Sequence, residues 1–185
     1  MDIRFTLQSG YVLIPLFVLA LIALYGLYKY KRWRLTVPQL VLLITFSLYL
    51  MAVLHLVFFP IEVNIGRYAN LTPWYSTVNY IPLLTLDIRT FVLNIVMFVP
   101  LGMYLPLLNS RMYSSVARTA KLALFLSLSI ELVQLLIRIT LGSGRSTDIN
   151  DLIANTLGGV LGCILLSKLM QWNWMEHRAS RLRLQ

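Results

Sequence analysis

Phe91-Val92-Leu93-Asn94-Ile95-Val96-Met97-Phe98-Val99-Pro100-Leu101-Gly102 is apolar at every position except Asn94. Extended from Arg89 to Leu108, the run is long enough to cross the hydrocarbon core as a helix, which takes roughly 20 mostly apolar residues. Four further stretches have the same character: about Tyr11 to Tyr28, Gln39 to Phe59, Ala120 to Ile139 and Leu152 to Trp172. The expected fold is therefore all-α, a polytopic membrane bundle of about five transmembrane helices forming one domain over residues 1–185. Pro100, Gly102 and Pro106 predict a kink in the third span.

The composition agrees. Of 185 residues, 58% are hydrophobic and only 12% are charged, with a mean hydropathy of +0.75. A water-soluble domain lacks the charged residues to cover that much apolar surface. Cys163 stands alone in an apolar run, so no intrachain disulfide forms and it reads as a small packing residue. His55 and His177 are the only histidines. No metal site or cofactor is indicated, and His55 reads as a packed or interfacial side chain.

The net charge of +9 raises the question of a nucleic-acid partner, and the distribution of charge answers it. Lys29, Lys31, Arg32, Arg34, Arg111, Arg118, Lys121, Lys168, Arg178, Arg181 and Arg183 fall on one side of the spans, with only Glu176 beside them, a net of +10. Arg4, Arg67, Arg89, Arg138 and Arg145 fall on the other, with Asp2, Glu62, Asp87, Glu131, Asp148 and Asp151, a net of −1. Basic loops stay in the cytoplasm, so the N-terminus is expected outside and the C-terminus inside. The positive charge is then explained by topology and contact with anionic lipid, and no nucleic acid is needed. Asp2 beside Arg4, with the basic cluster after the apolar run, is the wrong pattern for an export signal, and the first span reads as a retained helix. Tyr28, Tyr30, Trp33, Trp172 and Trp174 are placed as interfacial anchors. The segment from Pro60 to Ile88 is expected to fold back over the outer helix ends as a partial lid.

Several polar groups lie within or beside the spans. Glu131, Gln134 and Arg138 are spaced by three and seven and share one helical face with Ser127. Asp148, Asp151 and Asn155 repeat that spacing at the start of the last span. With Asn94, and with Glu62, Arg67 and Arg89 from the outer loops, they predict one convergent cluster at the outer leaflet. A carboxylate in lipid must face the bundle interior and find a partner; Arg138 and Arg145 are the expected partners of Glu131. Two readings compete. These groups either join helices by hydrogen bonds, with Asp148 and Asp151 as cap and first-turn charge, or they form a ligand pocket. Four carboxylates and several arginines at one depth favour the pocket. Ala154, Gly158 and Gly162 form a small-residue stripe for close packing, either within the chain or in a homo-oligomer.

At these residues the chain resembles the VanZ-like family of bacterial membrane proteins. The resemblance rests on Phe59-Pro60, Val78-Asn79-Tyr80-Ile81-Pro82-Leu83 and Asn94 to Gly102. It continues through Ser127, Ile130-Glu131-Leu132-Val133-Gln134, Arg145, Asp148, Asp151 and Asn155-Thr156-Leu157-Gly158, about residues 40–172. Leu83 departs from the pattern, where an aromatic is common. The resemblance implies a multi-pass protein of the bacterial plasma membrane, linked to resistance against glycopeptide antibiotics, teicoplanin especially, without alteration of the peptidoglycan precursor, or to envelope maintenance.

The expected function is binding of an amphiphile at the outer leaflet, either a lipoglycopeptide or a lipid-linked cell-wall intermediate. Asn94, Gln134, Asn155, Glu62 and the arginines 67, 89, 138 and 145 would contact it alongside Glu131, Asp148 and Asp151. One alternative is a membrane-embedded hydrolase or transferase using Glu131, Asp148 and Asp151 as general acid and base; no Gly-x-Ser-x-Gly or zinc motif supports it. The other is a transporter, disfavoured by the lack of repeat symmetry.

Overall fold

A backbone in hydrocarbon has no water to answer its N–H and C=O groups, so apolar stretches close their own hydrogen bonds as helices. The computed structural model describes residues 2–29, 35–66, 72–109 and 115–171. It holds α1 (Ser9–Lys29), α2 (Val37–Phe58), α3 (Ile88–Leu108), α4 (Val116–Leu141) and α5 (Ile149–Met170). Each is long and apolar enough to cross a membrane. The expected spans agree with these limits to within a few residues. Capping sets the true ends of α4: Ser115 accepts the Arg118 N–H, and Gly142 closes the helix in a left-handed conformation with φ 66°. Arg67, Tyr30, Trp33, Trp172, Trp174 and the basic residues at 31, 32, 34, 111, 178, 181 and 183 lie outside the described residues.

The apolar side chains point outward in number. Val92, Leu93 and Val96 of α3, Leu132 and Leu136 of α4, and Leu157, Leu161 and Leu165 of α5 are all exposed. Such a surface suits lipid as the surrounding solvent. The core is correspondingly narrow. Phe98, Leu101, Leu105 and Ala123 form one buried cluster, and Leu42, Leu107, Leu166 and Met170 another.

Both clusters flank the seam between α3 and α5, where the two backbones come very close. A Cβ built on Gly102 would stand 2.0 Å from the Gly159 carbonyl oxygen, and one on Gly162 would stand 2.0 Å from that of Val99. Only glycine admits this approach. Gly158 and Gly162 of the small-residue stripe meet the α3 backbone in this seam, and Ala154 is buried as well, so the stripe serves packing within the chain. Cys163 is buried beside it.

Pro100 and Pro106 both lie inside a continuous α3. Tyr49 of α2 donates to the Met97 carbonyl at 2.8 Å, close to the disturbance Pro100 introduces. By contrast α1 has no buried residue and packs on α2. His55 is exposed in the last turn of α2 rather than packed in the core.

The end that the charge distribution assigns to the exterior carries structure that the hydropathy pattern did not announce. Strand β1 (Ile3–Leu7) pairs antiparallel with β2 (Ile61–Ile65), setting Phe5 opposite Val63 and Thr6 opposite Glu62. After a single 3-10 turn at Trp74–Thr77, β3 (Val78–Asn79) runs parallel to β4 (Thr147–Asp148). The outer loop thus folds back on the bundle at the start of α5, as a partial lid.

Candidate functional site

Helices α3 and α5 both begin at this end, each capped by an aspartate. Asp87 accepts the Arg89 N–H at 3.1 Å and the Thr90 hydroxyl at 2.6 Å. Those donors, the Thr90 hydroxyl above all, hold its carboxyl below the ordinary carboxylate range. Asp148 Oδ1 accepts the Asn150 N–H at 2.8 Å, capping α5, and also Asn79 Nδ2 at 3.0 Å. The capping reading of Asp148 therefore holds, and the same carboxylate ties down the lid. Asp151, in the first turn, accepts Asn94 Nδ2 of α3 at 2.6 Å. Between the two helix starts opens a cleft of about 230 Å³ lined by Asp87, Thr90, Phe91, Ser146, Asp148, Asn150 and Asp151.

Glu131 sits behind this cleft and does not line it. It is 2% exposed, and its Oε2 accepts the Asp148 N–H at 3.0 Å. The expected ion pairs with Arg138 and Arg145 are not formed. Arg138 Nη1 donates to the carbonyls of Ser143 at 3.4 Å and Arg145 at 3.0 Å, and Arg145 Nη2 to that of Phe59 at 2.9 Å. The turn after α4 leaves carbonyls without helical partners, and a guanidinium answers several at once. Glu131 meets a backbone N–H instead, and its carboxylate neighbours are Asp148 and Asp151.

Arg145 lines a second cleft, of about 280 Å³, together with Pro60, Glu62, Ser143 and Gly144. The single convergent cluster expected from spacing is thus two clefts with no lining residue in common. One is acidic; the other sets Arg145 beside Glu62. Gln134 Nε2 donates to the Val57 carbonyl at 3.0 Å and joins α4 to the end of α2. Asn155 Nδ2 donates to Ser127 Oγ at 2.9 Å deep between α4 and α5.

Of the candidate residues, then, Asp148 and Asp151 line the acidic cleft, and Glu62 and Arg145 line the other. Asn94, Glu131, Gln134, Arg138 and Asn155 hold the frame. Arg89 stands exposed beside Asp87, and Arg67 lies outside the described residues. Asp87, Thr90 and Asn150 were not singled out. Asp87 followed three residues on by Thr90, at the mouth of an apolar run, is a legible helix start. Asn150 between two aspartates was the other available signal. Among the described residues, no group of three or more His, Cys, Asp or Glu is arranged to hold a metal ion.

The VanZ/LLP1 family profile matches residues 46–171, which include every residue of both clefts and leave out α1 and β1. Among curated proteins the chain is similar to Protein VanZ of Enterococcus faecium, with 34% identity over 125 residues that cover 63% of this chain and 67% of the relative. No solved structure matches the chain.

Proposed function

The chain belongs to the VanZ/LLP1 family, and from that membership we propose that it binds an amphiphilic ligand at the outer face of the bacterial plasma membrane. The ligand is a lipoglycopeptide of the teicoplanin kind or a lipid-linked cell-wall intermediate, and its capture protects the envelope. One observation carries the reading. Two clefts of different polarity open at one end of the bundle, one lined by Asp87, Asp148 and Asp151, the other by Arg145 and Glu62. Helix α3, which contributes Thr90 and Phe91 to the acidic cleft, carries exposed apolar side chains such as Leu93 and Val96.

An amphiphile with an acyl chain and a charged head matches that layout. The chain lies along the lipid-facing helices while the head presents amines to the carboxylates and carboxylate or phosphate to Arg145. Each cleft is smaller than the ~300–1,000 Å³ that encloses a whole drug-sized molecule, so each takes part of a ligand.

The test compares teicoplanin and vancomycin sensitivity of a susceptible Gram-positive host carrying empty vector, the wild-type protein, Asp151→Asn or Arg145→Gln at matched membrane levels. Selective protection against teicoplanin, reduced to the empty-vector level by Asp151→Asn, is the expected result. A wild-type protein that gives no protection overturns the drug-binding form of the proposal. A defined product of the candidate ligand, found by mass spectrometry, would replace binding with catalysis.

A further inference from the structure

Asn150 is buried, at 4% exposure, and lines the acidic cleft. Its Oδ1 accepts the Leu83 N–H at 2.8 Å, which settles the orientation of the amide. Its Nδ2 has no partner. A buried N–H group left without an acceptor is costly, and native sites seldom retain one without a use.

The carboxylates beside it have the opposite need. The donors from Asn79, the Asn150 backbone and Asn94 all fall on Oδ1 of Asp148 or Asp151, which leaves each Oδ2 outside that network. The cleft thus asks for positively charged donors at two carboxylates and an oxygen acceptor at Asn150. A bare cation meets the first requirement only. A water molecule meets the second and leaves the carboxylates facing one another.

We propose that this cleft binds a primary ammonium group with an oxygen acceptor on the neighbouring carbon, the 2-aminoethanol unit. Asp148 and Asp151 take the ammonium, Asn150 Nδ2 takes the oxygen, and Phe91 supplies an aromatic wall. The assignment rests on the reading of this end as a ligand site and names the chemistry of one of its clefts. The unit occurs in 2-amino sugars and in ethanolamine phospholipid headgroups, and the experiment separates the two sources.

The full chain is placed in phosphatidylcholine nanodiscs, and ligand binding is read from the rise in thermal unfolding midpoint. Ethanolamine and glucosamine are expected to raise it. N-acetylethanolamine and N-acetylglucosamine, which lack the ammonium, leave it unchanged. Ethylamine, which lacks the oxygen, binds about fivefold more weakly, the loss expected for one hydrogen bond. Asp151→Asn keeps an oxygen for Asn94 and abolishes the amine response. Asn150→Asp keeps the acceptor for the Leu83 N–H and erases the difference between ethanolamine and ethylamine.

Acetylated probes that bind as well as the amines, or an Asn150→Asp protein that still discriminates, would overturn the assignment. Phosphatidylethanolamine that raises the midpoint and blunts the glucosamine response identifies the headgroup as the source; no effect of that lipid, with glucosamine still bound, identifies the amino sugar. Amine binding that fails while the wild-type protein still protects cells refutes this inference and leaves the proposed function standing. Amine binding without protection does the reverse.

Discussion

Substituting Gly162 by Ala introduces a methyl group into the tightest part of the bundle. Its Cβ would stand 2.0 Å from the Val99 carbonyl oxygen, 2.9 Å from the Val99 carbonyl carbon and 3.1 Å from the Gly102 Cα. All three obstacles are backbone, so no side chain can swing aside. Ordinary contact begins at 3.4 Å, so α3 and α5 must part locally by ~1.4 Å. Overpacking costs about 1–3 kcal/mol. Because the opening also loosens the Gly102–Gly159 approach, the cost falls at or above the upper end of that range. Alanine's greater helix propensity returns about 1 kcal/mol, for a net loss of about 2 kcal/mol.

At roughly 2–4 °C per kcal/mol for a chain of this length, the unfolding midpoint of the purified protein in detergent should fall by about 4–8 °C. Gly26→Ala is the control, because a Cβ there meets nothing within 4 Å; it should be neutral or slightly stabilising. Gly102→Ala combined with Gly162→Ala should cost less than the sum of the two, since both open the same seam. Melting no lower than the Gly26→Ala protein would refute this account of the seam. A loss of oligomeric mass with unchanged melting would return the stripe to the role of a surface between chains.

Three further outcomes follow from the outer end. Arg145→Ala removes the donor to the Phe59 carbonyl; stability should fall by about 1–2 kcal/mol, and amide exchange should quicken in β2 ahead of the helices. The carboxyl of Asp87 titrates below its ordinary range, so its cap is in full force above that range and is lost as pH falls through the lowered value; the protection factors of the Arg89 and Thr90 amides, referred to the unstructured exchange rate at each pH, should fall on acidification in the wild-type protein and show no such fall in Asp87→Asn. Gln134 donates one hydrogen bond while its buried Oε1 has no partner; Gln134→Leu loses the first and relieves the second, so stability measured by thermal melting should change by less than about 1 kcal/mol.

The five spans were legible because lipid imposes a long, uninterrupted apolar run on any helix that crosses it. The position of Asp148 at the start of α5 was legible for a local reason, since a cap depends on residues two positions away. The β1–β2 ribbon was not. Ile3, Phe5 and Leu7 alternate with polar residues, as do Ile61, Val63 and Ile65, and that is a strand signal. Five residues make it short, however, and its partner lies on the far side of two helices in the sequence. The pairing of Glu131 with arginine failed for another reason. Helical spacing sets charges on a common face, but it does not count the backbone carbonyls that compete for a guanidinium at the end of α4. The order in which these groups are satisfied belongs to the turn at Ser143–Arg145.

Three of the polar groups that α3 and α4 carry into the membrane share one dependency. Asn94 is answered by Asp151, Ser127 by Asn155 and Glu131 by the Asp148 N–H, and every partner comes from β4 or α5. During synthesis these donors and acceptors enter lipid before the segment that completes them exists. A nascent chain halted before Thr147 holds a carboxylate, an amide and a hydroxyl in hydrocarbon with their eventual partners unmade. The last helix therefore completes the polar interior: its insertion is the step at which these three groups are satisfied.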